Sequence, residues 1–148
     1  MELRLYDRAD APEVLRLWNT AGAAAGYAPL DADKLDALLL AHPAFCGEST
    51  FVLEEKGAIL GFAAGCTGNA LAHGAVRGYV SCVLLDASCD TSENTALLLG
   101  AIEDTFRARG KSVAAVTFFN PLRLPWIIPG TDGHQHNNMP GIPKDILL

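Results

Sequence analysis

Basic residues are scarce in this chain of 148 residues: 11 lysines and arginines stand against 17 acidic residues, a formal net charge of -6. An acidic surface repels phosphate backbones and anionic headgroups, so neither nucleic acid nor a membrane surface is an expected partner. Long apolar runs are missing as well. No stretch approaches the ~18–20 apolar residues of a membrane span, and the start Met1-Glu2-Leu3-Arg4-Leu5-Tyr6 lacks the basic segment and apolar core of a signal peptide. A soluble, cytoplasmic protein is expected. No Cys-x-x-Cys pair occurs. Cys46, Cys66, Cys82 and Cys89 lie among apolar or small residues, which argues against a disulfide framework or zinc ribbon and predicts reduced, buried thiols. Internal repeats and low-complexity tracts are absent too. What is abundant is apolar: 50% of residues are hydrophobic and 19% charged, the opposite of a disordered composition and enough for one domain's core.

Residues 2–6 alternate charged and apolar, the period of a half-buried strand. Asp10-Ala11-Pro12-Glu13 reads as a capping box with proline in the first turn, and Val14, Leu15, Leu17, Trp18 and Ala21 follow at helical spacing. That helix should end near Gly22–Gly26. Asp31 opens a shorter helix with Leu35, Leu38 and Leu39 on one face, stopped before Pro43. Thr50 to Glu54 and Ala58 to Thr67 form a hairpin across Glu55-Lys56-Gly57, where glycine meets a positive φ. Arg77 through Leu85 is a further apolar strand. Asp90-Thr91-Ser92-Glu93 then reads as a capping box opening a helix through Leu97, Leu98, Ile102 and Phe106, with Arg107 and Arg109 in its last turn and a stop at Gly110. Val113 to Phe119 is a continuous apolar strand, buried on both faces. The strand-helix-strand unit at 77–119 has the length of a right-handed parallel crossover, so the fold class is α/β with a mixed sheet.

Composition changes at about residue 120. From Asn120 to Leu148 the chain holds Pro121, Pro125, Pro129, Pro140 and Pro143 with three glycines, and reads as turn and extended loop. The expected organisation is a domain over 1–119 and a Pro/Gly-rich tail or linker over 120–148.

The element order, the hairpin ending in Ile59-Leu60-Gly61-Phe62-Ala63 and the strand, loop and helix over 79–109 together resemble the GNAT N-acetyltransferase superfamily, over roughly residues 2–119. Trp126-Ile127-Ile128-Pro129-Gly130 is similar to the linker of tandem members, so the chain resembles the N-terminal half of a tandem GNAT protein. The resemblance implies acetyl-CoA in a gap between the fourth and fifth strands, with pyrophosphate on the following loop and helix N-terminus, where free amides and the helix dipole favour an anion. The family pattern apolar-x-apolar-x-Pro-x-x-Arg/Gln-x-x-Gly-x-Gly/Ala puts Cys82 and Leu84 at cofactor-facing strand positions, Asp86 at the proline, Cys89 at the Arg/Gln, and Ser92 and Asn94 at the two glycines. Cys82, Leu84, Cys89, Ser92 and Asn94, with Asp90 and Thr95 from the same turn, are the implied cofactor-binding residues. The signature cation and both glycines are replaced, and Asp90 and Glu93 add carboxylates near the implied anion. The superfamily closes its sheet with another helix and two strands, which are lacking here; Pro143-Lys144-Asp145-Ile146-Leu147-Leu148 reads as the opening of that helix.

The resemblance implies N-acetyl transfer from acetyl-CoA to an amine or peptide acceptor by direct attack, without a covalent enzyme intermediate and without a metal. The alternative is a GNAT-like structural or interaction domain that has lost acetyl-CoA binding. A sheet ending at the 113–119 strand leaves an open edge and implies a homo-oligomer or a second GNAT-like domain. Other residues have simpler readings. Cys82 and Cys89 have no neighbouring base and read as buried thiols, and His134 and His136 are two ligands short of a zinc site. His73 reads as a surface histidine. Tyr79 and Glu48 are candidate bases by residue type alone.

Overall fold

The computed structural model describes residues 1–116, 122, 126–127, 135–136 and 144–148, with the backbone alone at 126–127, 135–136 and 144. Strands β1 (Glu2–Leu5), β2 (Thr50–Glu55), β3 (Ala58–Cys66) and β4 (Arg77–Leu85) form an antiparallel run. Strand β5 (Val113–Val116) lies parallel to β4, and the chain's last strand, Lys144–Leu147, lies antiparallel to β5. With β6 (Trp126–Ile127) and β7 (Gln135–His136) paired as a separate ribbon, that last strand is β8. The main sheet has six strands in the order β1-β2-β3-β4-β5-β8.

Two helical runs cover one face. Helix α1 spans 11–25 as Ala11–Leu17, a wider π-type turn Trp18–Gly22, and Ala23–Ala25; α2 spans 32–40 as Ala32–Leu35 and a second wide turn Asp36–Leu40. Their Val14, Leu17, Trp18, Leu35 and Leu39 pack on Val52, Phe62, Cys82 and Leu84 of the sheet. Helix α3 (Ser92–Ala108) covers the other face, where Leu98, Ile102 and Phe106 meet Leu53, Ala63, Val80 and Ala114. Each fully buried side chain of this size stabilises the fold by about 1.5–3 kcal/mol, so these two clusters hold the sheet between its helices.

Phe106 lies directly on the strands. A Cβ placed on Gly78 would stand 2.4 Å from Phe106 Cδ2, and one on Gly65 2.9 Å from Phe106 Cζ. Only glycine allows the ring to approach this closely. The β2–β3 turn uses Lys56 at φ 50° and Gly57 at φ 84°, a pair of left-handed residues that matches the twist of a hairpin.

Four expectations need correction. The first capping box lies one turn earlier than expected. Asp7 accepts from Ala9 N and Asp10 from Asp7 N, both at 2.8 Å, and α1 starts without a side-chain cap. Asp10 is drawn there because its carboxylate also receives both Nη atoms of Arg4 at 2.8 Å, while Arg4 Nε donates to Glu54 at 2.6 Å. Asp90 is not the cap of α3; Thr91 is, its hydroxyl accepting from Asn94 N at 3.2 Å. Residues 144–147 form strand β8 rather than the start of a helix: lying along β5, the segment packs the half-buried Ile146 and Leu148 against α3's core. The same strand fills the edge of β5 that was expected to stand open. Of the strand expected over 113–119, residues 117–119 lie outside the described residues, as does His134; His136 is described by backbone alone.

Candidate functional site

β4 changes character half-way along. Its register on β3 runs Ala64↔Cys82 and then Gly65↔Val80, so Ser81 has no partner there and forms a β-bulge. The bulge shifts the side-chain phase. Val80 faces α3, as do Val83 and Leu85, whereas Cys82 and Leu84 face α1, an arrangement that strict alternation from Val80 would forbid. Among the described residues the last pair of β4 with β5 is Val80↔Val116. Beyond it, Ser81–Leu85 has no described neighbour on that side.

A cleft of about 340 Å³ opens at this half of the strand. Val83, Leu84 and Leu85 form its floor, Ala21, Ala24 and Ala25 at the end of α1 one wall, and Ala87, Asp90 and Thr95 the end nearest α3. The small-residue run Ala21-Gly22-Ala23-Ala24-Ala25 lets α1 approach without filling the space. Small side chains on one helix face were the sequence signal for this wall, and neither they nor Val83, Leu85 and Ala87 were among the expected site residues.

The loop between β4 and α3 is fixed by its own hydrogen bonds. Asp86 Oδ1 accepts from Ser88 N at 2.9 Å and from Ser88 Oγ at 2.7 Å, bonds that hold its carboxyl below the usual carboxylate range. Cys89 donates its thiol to Leu60 O at 3.5 Å and is buried, which pushes its pKa up, with Asp86 adding to the effect. Asn94 turns its side-chain amide back to Cys89 O at 2.8 Å. In α3's first turn the amide of Asn94 is taken by Thr91 and that of Thr95 by Thr91 O. The amides of Ser92 and Glu93, the first two of the helix, have no acceptor within it.

The seven implied cofactor-binding residues therefore divide. Leu84, Asp90 and Thr95 line the cleft. Ser92 contributes one of the two unclaimed amides and its side chain is exposed. Cys89 and Asn94 turn their side chains to Leu60 and to the loop itself. Cys82 is fully buried among the α1 side chains, its thiol pushed up to about 12 by burial. A thiol held neutral in this way packs and does not react. The side chains standing where the family has glycine and a cation thus leave the cleft open. Asp90 is the one charged residue lining it among the described residues.

The residues considered as bases lie elsewhere. Tyr79 gives its hydroxyl to Ala72 O, and Glu48 pairs with Arg109 at the far end of α3, about 25 Å along a helix of 17 residues from the cleft. His73 is exposed on the loop before β4 at φ 53°. None of the three lines the cleft. Among the described residues no group of three or more metal-ligating side chains occurs, and no helix is long and apolar enough to cross a membrane.

No protein-family model matches the sequence, and no curated protein matches it. Solved structures do share its fold. An N-acetylglutamate synthase from Neisseria gonorrhoeae, solved with coenzyme A and N-acetyl-glutamate, superposes with a TM-score of 0.60 at 20% identity over 78% of this chain. This chain spans only 24% of that protein's length. A ribosomal-protein-alanine N-acetyltransferase from Brucella melitensis gives 0.61 at 18% identity, covering 78% of this chain and 72% of that one. A GNAT family acetyltransferase from Brucella melitensis in complex with acetyl-CoA gives 0.60 at 20% identity, covering 77% and 73%. The mixed sheet with its helices is the fold of the GNAT N-acetyltransferases.

Proposed function

We propose that this chain is an acetyl-CoA-dependent N-acetyltransferase domain that passes an acetyl group to an amine, of a small molecule or a peptide, by direct attack. The observation that carries the reading is the cleft that lies along Val83–Leu85 of β4 and ends beside the first turn of α3. The strand segment that floors the cleft suits a pantetheine arm, and the unclaimed amides of Ser92 and Glu93 suit a phosphate. The apolar floor of Val83–Leu85 and the alanine wall exclude water from the arm. The bound thioester supplies the activated acyl group. Because the attacking nitrogen belongs to the acceptor, the reaction needs orientation more than a nucleophilic side chain.

One observation favours a second reading, a GNAT-like domain without donor binding that serves structure or interaction: the one charge lining the cleft among the described residues, Asp90, has the sign of the phosphate it would meet. The same proposal keeps the division into a domain over 1–119 and a Pro/Gly-rich connecting segment over 120–148, from which β8 returns to the sheet. It also keeps cytoplasmic residence and self-association or pairing with a second domain of this fold. The outer strand β1, whose Leu3 and Leu5 are 36% and 52% exposed, replaces β5 as the surface for that pairing.

Titration with acetyl-CoA, followed by thermal shift and calorimetry, separates the two readings. A donor at 100 times its Kd adds about 2.7 kcal/mol of stability, a rise of several degrees. An unmoved transition at millimolar acetyl-CoA contradicts the transferase reading.

A further inference from the structure

Asp90 is conspicuous for having no structural task. The position that caps α3 is Thr91, the turn before it is closed by Asp86 on Ser88, and Asn94 ties the loop to Cys89 O. The Asp90 carboxylate makes no hydrogen bond and no ion pair among the described residues, and it lines the cleft next to Thr95. Among the described residues no cation lines that cleft to offset it. Arg16, which reaches Asp86 electrostatically from α1, is committed to Ile59 O at 2.9 Å and Glu13 at 3.2 Å. Glu93, the other acid of this turn, is exposed and does not line the cleft.

We infer that Asp90 is a specificity determinant of the donor site, a charge filter at the α3 end of the cleft that weakens pantetheine thioesters in proportion to the phosphate they carry there. The inference rests on the donor-site reading above. Two unit charges about 6 Å apart at an effective dielectric of ~20 repel enough to change affinity about a hundredfold, and solvent at an exposed carboxylate reduces this to about tenfold. The apolar floor and alanine wall are untouched by the charge, so the pantetheine arm alone escapes the filter. The unpaired carboxylate makes this chain a better match for a donor with little negative charge beyond the arm than for the full nucleotide thioester.

The test compares two probes, acetyl-CoA and acetyl-pantetheine, on the wild-type chain and on Asp90→Asn, by calorimetry at low and at high salt. Asp90→Asn is expected to tighten acetyl-CoA about tenfold and leave acetyl-pantetheine unchanged. Asp90→Lys is expected to tighten acetyl-CoA further, and raising the salt is expected to shrink the difference between wild type and variant. Because Thr91 carries the cap, all three proteins should unfold cooperatively, which circular dichroism checks. The inference is overturned if the substitution leaves acetyl-CoA affinity unchanged or shifts both probes equally. Should neither probe bind any of the three folded proteins, the donor-site reading itself fails and takes the filter with it.

Discussion

The two halves of β4 carry the same kind of sequence and have different fates. Arg77–Val80 is enclosed: β3 lies on one side, β5 on the other, and Phe106 presses on the backbone at Gly78. Ser81–Leu85 keeps β3 but has no described partner on the β5 side, and a cleft opens along it. The bulge at Ser81 marks the change. On the proposed function, one strand anchors the sheet with its first half and floors the donor cleft with its second.

If this division is right, damage to the enclosed half should be felt in stability and damage at the open end mainly in binding. The largest expected loss is Phe106→Ala, about 3–5 kcal/mol in urea unfolding, because it empties the space over both glycines. Gly78→Ala should cost about 1–3 kcal/mol by overpacking the same contact. A stability equal to wild type for either variant would break the comparison. Thr91→Ala should cost about 1 kcal/mol and Asp90→Ala less, the reverse order being the sign that Asp90 caps α3 after all. A smaller, pH-dependent effect comes from β1. The Arg4 guanidinium, hydrogen-bonded to Asp10, holds the Asp10 carboxyl below its usual range. A depressed folded pKa means stability that is present above the unfolded value near ~3.9 and disappears as pH falls through the folded one. Asp10→Asn should therefore lower stability at neutral pH by up to about 1 kcal/mol and flatten the acid limb of the pH profile.

Most of the elements were legible because their signals are local. Arg77–Leu85 reads as a strand from its apolar run, Gly110 stops α3, and Gly57 sits at the hairpin turn, all as found. The bulge was not legible. Tyr79-Val80-Ser81-Cys82-Val83 is small or apolar at every position, so a one-residue slip leaves no break in the pattern. The fate of residues 144–147 was set by a partner far away in sequence, β5, and a short apolar segment after proline fits a helix start equally well. The residues the family pattern marks lie on the turn between β4 and α3, but the pattern could not say which side chains fold back. Cys89 and Asn94 do so through bonds to Leu60 O and Cys89 O, and only coordinates reveal them. The choice between Asp90 and Thr91 as cap is a matter of one residue, which sequence spacing does not resolve.

Hydrogen exchange of the backbone amides, with and without near-millimolar acetyl-CoA, tests the central claim most directly. The account predicts slower exchange at Ser81–Leu85 and at Ser92 and Glu93, with Arg77–Val80 already protected and unchanged. Uniform exchange along β4 in the presence of donor, or protection that avoids the open half and the first turn of α3, would contradict it.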